Sequence, residues 1–349
     1  MPPLVSVLMS VHNGQAWLES GLECILNQSL ADLEFIVIDD GSSDDTWERL
    51  TRRAAADPRL RPVKNEQNLG LTRSLNRGLA LAQGRYLARQ DVDDVSLPDR
   101  LRSQAELLDA SPEVVLAGSW ATRIDADGRV LPVLGWQPAS DGVIRAKMLL
   151  SNAFFHASVM VRRQALIDHG LAYDPDLPFA QDYDLWSRLL HHGQGANLPR
   201  PLIQFRTHAG QISQARGGAQ RATADAIAGR NLAAAGLGAE FSPAQIALMR
   251  RLAQETPPLT PAQRVSQFRA LTRLIARVEA GRDARDPEWR RVKGEWLLDA
   301  RRYLVERPRG AADLRARAAI VAAAPWGALR DTATWLGRAL ANRLGGGRG

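Results

Sequence analysis

Between a short apolar run and a helix signal the chain reads Arg89-Gln90-Asp91-Val92-Asp93-Asp94-Val95-Ser96-Leu97-Pro98-Asp99-Arg100, with three carboxylates inside four residues. Like charges packed this closely call for a cation, and oxygen ligands on a short loop suit Mg²⁺ or Mn²⁺, the usual partners of a nucleoside diphosphate. Residues Gly84 to Ala88 read as a strand. Ser96 is expected to cap a helix that takes Pro98 in its first turn and runs to about Asp109. The acids would then stand at a strand's carboxyl end, where open α/β sheets bind ligands. A solvated acidic turn is the competing reading, because a D-x-D spacing alone is a weak pattern.

The elements that would position this loop come in strand-helix units. Val5 to Val11 is a buried strand of the parallel kind, followed by the turn His12-Asn13-Gly14 and an apolar helical pattern through Trp17, Leu18, Leu22, Ile25 and Leu26. Leu33 to Ile38 repeats the unit and ends in Asp39-Asp40-Gly41-Ser42-Ser43-Asp44, with Ser43 or Asp44 as the cap of the next helix. A strand near Leu60 to Lys64, the turn Asn65 to Gly70 and a helix from Leu71 to about Ala82 make the third. Such alternation predicts a doubly wound, mostly parallel sheet with a Rossmann-like nucleotide-binding half, whose strand ends build one crevice. Further strands are expected at Val114 to Trp120, Phe154 to Val161 and Leu202 to Thr207, and a helix at Asp182 to His191 with Leu185, Trp186, Leu189 and Leu190 inward.

From Gln211 the composition turns Ala-rich, Arg-rich and helical, with Gly217-Gly218 as a joint. A domain of residues 1–215 followed by a smaller α-helical region of residues 216–349 is therefore expected in this chain of 349. The single cysteine, Cys24, excludes an internal disulfide and sits in an apolar helical pattern that suits packing. With no leader-like amino terminus and no apolar run of transmembrane length, a cytoplasmic setting is expected. Residues 301–349 hold ten arginines against three acids, which accounts for the whole formal charge of +7. A basic tail on a neutral body argues for a local anionic partner and against a nucleic-acid-coating protein.

Five segments in order, Val5 through Gly14, Ile38-Asp39-Asp40-Gly41-Ser42, Asn68-Leu69-Gly70-Leu71, Asp91-Val92-Asp93-Asp94 with Pro98-Asp99-Arg100, and Gln181-Asp182-Tyr183-Asp184-Leu185-Trp186, resemble a family 2 glycosyltransferase of the GT-A fold. The resemblance covers about residues 4 to 210. It implies that His12 packs on the nucleotide base, that Asp40 accepts the base's imide N–H, and that Asp39 supports the turn. A carboxylate there suits uracil N3–H, hence a UDP-sugar donor. Asn68, Gly70 and Arg73 would lie beside the donor. Asp91 would stand near ribose or sugar, and Asp93 would bind the Mn²⁺ or Mg²⁺ that bridges the diphosphate. His208 would reach that metal, and His156 would face the acceptor side. Asp182 would be the general base of a metal-dependent, inverting hexosyl or N-acetylhexosaminyl transfer to a hydroxyl, with Asp184 structural. Gln181 departs from the Glu common there.

The implied partners are a nucleotide sugar and a glycan or lipid-linked acceptor of cell-surface polysaccharide biosynthesis. Arginines at 315, 317, 330, 338 and 343 interleave with Trp326, Trp335 and aliphatic residues. That pattern leads to the expectation of a helical tail from about residue 311 docked peripherally on anionic membrane, with packing on the protein itself as the other reading. Two further readings compete. A sugar nucleotidyltransferase would carry a glycine-rich basic loop after the first strand, where His12-Asn13-Gly14-Gln15-Ala16 stands instead. A catalytically silent nucleotide-sugar-binding or scaffold protein would be hinted at by Gln181, against which stand Asp91, Asp93 and Asp182.

Overall fold

The structure is a computed structural model that describes residues 2–208, 217–251, 259–297, 313, 315, 316 and 318–320. Its first strands are β1 (Val5–Val11), β2 (Leu33–Asp39), β3 (Leu60–Lys64) and β4 (Tyr86–Arg89), mutually parallel in the order β3-β2-β1-β4. Every residue of β2 is buried, and so are six of the seven in β1. The pleat sends Val5, Val7, Met9 and Val11 to one face and Leu8 to the other. Helices α1 (Leu18–Leu26) and α4 (Arg100–Ala110) cover the first face through Leu18, Leu22, Ile25, Leu101 and Leu108. Helices α3 (Leu71–Leu81) and α7 (Gln181–Leu189) cover the second through Leu75, Leu185, Trp186 and Leu189. Helix α2 (Thr46–Ala56) links β2 to β3. A sheet walled on both faces is mostly apolar on both, which is why β1 and β2 read as near-continuous hydrophobic runs, broken by Ser6, Ser10 and Glu34.

The second half of the sheet is mixed. Strand β8 (Met160–Arg162) runs antiparallel to β4, β6 (Val114–Ile124) antiparallel to β8, and β9 (Gln194–Arg206) parallel to β6. The two-residue β5 (Val95–Ser96) closes the edge on β9, and β7 (Val130–Gly135) hangs on β6 as a hairpin. Helices α5 (Asp141–Met148) and α6 (Arg163–Asp168) complete the unit.

Three expectations are corrected. Ser96 does not cap a helix: its hydroxyl donates to Gln90 Oε1 at 2.6 Å and its backbone pairs with Ile203, so α4 starts at Arg100 with Asp99 before it. Phe154 to Val161 is strand only at its end, because the backbone first turns through a 3₁₀ helix at His156–Ser158 before meeting β4. Strand β9 begins at Gln194, upstream of Leu202. Pro199 and Pro201 hid it, and the ladder to β6 absorbs them with a register shift between Ser119 and Ala121.

By contact density the chain divides into Met1–Ile227 and Ala228–Gly349. The division falls inside α8 (Gly217–Ala234). The second unit carries α9 (Pro243–Arg250), α10 (Pro261–Glu279) and α11 (Pro287–Trp296), the first two opened by capping boxes at Ser242 and Thr260. No helix among the described residues is long and apolar enough to cross a membrane. The tail with Trp326 and Trp335 lies outside the described residues.

Candidate active site

Because β1, β2 and β4 run parallel, the turns after them meet at one edge. Asn13 is held there in a left-handed conformation (φ 52°), its N–H donating to Ser42 Oγ at 2.9 Å and its Oδ1 accepting from Ser43 N–H at 2.9 Å. His12 is exposed, with Nδ1 3.0 Å from the carbonyl oxygen of Asp40. A carbonyl can only accept, so the partner assigns the proton to Nδ1, which fixes the ring's edge and leaves a face open for stacking. Gly41 (φ 70°) has the backbone of Gln67 and Asn68 against it, where a Cβ would come within 2.5 Å of Gln67 C.

In the fold Asp40 also holds a neighbouring turn. Its Oδ1 accepts from Leu69 N–H at 2.8 Å and Asn65 Nδ2 at 2.7 Å, and its Oδ2 from Gly70 N–H at 2.9 Å. The carboxylate is buried and holds the turn that carries Asn68 and Gly70. Asn68 adds its own Oδ1 to Gly70 N–H at 3.0 Å, and Gly70 takes a positive φ of 87° that favours glycine. Arg73 stands exposed one turn on. Asp40→Ala is accordingly expected to cost about 3 kcal/mol, since it leaves two backbone N–H groups and an amide without their buried acceptor. Denaturant titration measures that loss, and a raised donor KM would accompany it.

The acidic loop resolves into three different carboxylates. Asp91 Oδ1 is 2.5 Å from Nη2 of the buried Arg89. Asp93 Oδ2 lies 2.9 Å from His208 Nε2, across 115 residues of chain. Asp94 is buried, accepts from Arg206 N–H at 2.9 Å through Oδ1, and has an Oδ2 with no hydrogen-bond partner among the described residues. Arg206 Nε also donates to the Asp93 carbonyl at 2.8 Å, and its guanidinium sits 4.4 Å from the Trp17 ring centroid. Burial, then the Asp91 charge, push Asp93 up from the ordinary carboxylate range, with His208 pulling the other way. Burial and both neighbouring acids push Asp94 well above it. The donor chemistry fits a hard divalent cation: surplus carboxylate charge, and an acid joined to an imidazole. No three such side chains among the described residues form a complete ligand set. A cation held by Asp93 and His208 would therefore need further oxygens, which a diphosphate has.

On the other side, Asp182 stands in the first turn of α7, after Ala180, which has a left-handed φ of 54°. Its Oδ2 accepts from Asn152 Nδ2 at 2.8 Å. Asp184 is buried and gripped by Arg188, whose Nε and Nη2 lie 2.9 and 2.7 Å from its Oδ2. His156 Nε2 is 3.1 Å from Tyr173 Oη, and both rings pack edge-on to Trp186. Burial, then Arg89, lower the pKa of His156, while Asp182 and Asp91 oppose; burial raises that of Tyr173. Asp182 and the acidic loop thus act electrically on the same buried pair.

A residue folded as neutral imidazole binds fewer protons than the unfolded chain below the unfolded pKa, about 6.5. The stability due to His156 is therefore complete above that pH and lost progressively as pH falls below it. Thermal unfolding from pH 7.5 to 5 should show a smaller fall in Tm for His156→Gln than for the parent.

The fold agrees with what the chain is similar to. The family model described as Glycosyl transferase family 2 matches residues 6–170. An uncharacterized glycosyltransferase of Haemophilus influenzae is 31% identical over 239 residues, covering 66% of this chain and 73% of the relative. The chain belongs to glycosyl transferase family 2. The amylovoran biosynthesis glycosyltransferase AmsE of Erwinia amylovora is 33% identical over 217 residues, 61% of this chain and 80% of AmsE. The crystal structure of S. aureus TarS in complex with UDP-GlcNAc superposes with a TM-score of 0.58 at 18% identity, over 85% of this chain and 92% of that one, a likeness of GT-A fold.

Sequence reading of this glycosyltransferase passed over Trp17, Asn65, Arg89, Asn152 and Arg206. Arg89 did carry a signal, being a charge at the end of an otherwise apolar, fully buried strand, and Arg206 carried a weaker one at the end of a strand that mixes polar and apolar residues. Trp17, Asn65 and Asn152 carried none, since their partners are far along the chain.

Proposed function

We propose that this glycosyltransferase moves a sugar from a UDP-sugar to a hydroxyl of a glycan or lipid-linked acceptor with inversion, in the making of a surface polysaccharide. The observation that carries the reading is that the fold offers a cation-type group, Asp93 with His208, and a carboxylate, Asp182, whose Oδ1 makes no hydrogen bond among the described residues and whose charge acts on the same His156 and Tyr173 as that of Asp91. Mn²⁺ or Mg²⁺ at Asp93 and His208 would supply Lewis-acid stabilisation of the leaving diphosphate. His12 stacks on the base, Asn68 and Gly70 line the donor, and Arg73 offsets phosphate charge. Asp91, fixed by Arg89, stands near the ribose or sugar. Asp182 takes the acceptor hydroxyl's proton as that oxygen bonds to the anomeric carbon and the bond to UDP breaks on the opposite face. The UDP-GlcNAc in the TarS complex and the polysaccharide role in the name of AmsE support the donor and pathway classes.

The test is a donor screen with purified protein and Mn²⁺, reading UDP release from UDP-glucose, UDP-galactose, the UDP-N-acetylhexosamines and GDP- and dTDP-sugars. Turnover confined to GDP- or dTDP-sugars overturns the donor assignment. Undiminished turnover in chelator overturns the metal role.

A further inference from the structure

Two carboxylates stand two residues apart on the first turn of α7, and the fold treats them in opposite ways. Asp184 is neutralised by a cation, Arg188, which meets its Oδ2 with two nitrogens. Asp182 receives one neutral donor, the amide of Asn152, on Oδ2 at 2.8 Å. An arginine pairs with a carboxylate's charge and tends to engage both oxygens, whereas an amide N–H fixes one oxygen and leaves the negative charge and the second oxygen available.

Asn152 is itself held. Its Oδ1 accepts from Phe154 N–H at 3.1 Å, so the amide cannot flip without losing that bond. The stretch Met148 to Asn152, from the last residue of α5 into the segment after it, is tied to the same turn of α7 a second time, by Tyr183 Oη donating to the Met148 carbonyl at 2.7 Å. Two neighbouring positions of the helix, Asp182 and Tyr183, are therefore clamped by the one segment.

We propose that Asn152 is the positioning residue of the transfer reaction: its amide orients the Asp182 carboxylate so that Oδ1 faces the acceptor hydroxyl. This rests on the reading of Asp182 as the base. Misaim of a base by an ångström costs up to about a hundredfold in rate, so the orienting bond matters to kcat more than to binding.

Asn152→Asp separates orientation from folding. The new carboxylate keeps an acceptor for Phe154 N–H and the same shape, but it both loses the donor to Asp182 and sets a second negative charge 2.8 Å away, so the uncharged Asn152→Ala is the control for repulsion. Rates are read as UDP release, with water as acceptor, from whichever UDP-sugar the donor screen turns over fastest; donor binding is read by calorimetry with UDP and Mn²⁺. The expected result is a Tm within a few degrees of the parent, unchanged UDP affinity and a kcat lowered roughly 10- to 100-fold. Asn152→Ala, which removes both bonds and adds no charge, should show a comparable loss of kcat with unchanged UDP affinity, together with a lower Tm. A kcat within twofold of the parent in Asn152→Ala, or a fall in UDP affinity that matches the fall in kcat, would leave Asn152 a loop residue and end the proposal. Asp182→Asn assayed alongside keeps the two ideas apart. If it is inactive while Asn152→Asp is normal, only the positioning role fails; if it turns over normally, the base reading fails and this one with it.

Discussion

Asp93→Ala is expected to weaken Mn²⁺-dependent UDP binding by on the order of a hundredfold, about 2.7 kcal/mol, while leaving the protein as stable as the parent or slightly more so. The two halves of this expectation have separate causes. In the unliganded fold Asp93 is destabilised as an anion by burial and by Asp91, and its one side-chain hydrogen bond among the described residues goes to His208. Removing it relieves a repulsion. With a diphosphate bound the same negative charge becomes useful, because it helps hold the cation that offsets the phosphates. Calorimetry with UDP, with and without Mn²⁺, reads the first half and thermal unfolding of the apo protein the second. Metal-dependent affinity that survives the substitution would move the cation away from Asp93, and a large fall in apo Tm would make the residue structural.

Asp182→Asn is expected to lower turnover by about a hundredfold or more with donor binding intact, the scale of losing a positioned base. Asparagine keeps the shape and can still meet Asn152, so the helix start should survive, but it cannot take a proton. Steady-state rates set against UDP affinity test the separation. A variant with parental kcat would move the base elsewhere. Asp184 would be a poor substitute, since Arg188 already holds it.

Which elements could be read from the chain depended on how local their causes are. The strands at Val5–Val11 and Leu33–Asp39 and the inward face of α7 were legible because burial on a sheet or a helix imposes a short period on neighbouring residues. The caps and edges were less so. Ser96 has the right side chain for a cap, but Gln90 and β9 claim it. The prolines at 199 and 201 argue against a strand that the long ladder to β6 nevertheless holds.

The same division runs through the site. The sequence by itself determined which chemistry-bearing residues sit at strand ends and helix starts: His12, Asp40, Asp91, Asp93 and Asp182 each follow or open a regular element whose signal lies within a dozen residues. Only the tertiary structure decided what each side chain touches. Asp40 turns to Leu69 and Gly70, Asp91 to Arg89, Asp93 to His208, and Asp182 to Asn152. A polar group entering a crevice takes whichever donor the packing of distant segments brings within 3 Å, and most of these donors come from segments tens of residues away, so no local pattern encodes the choice.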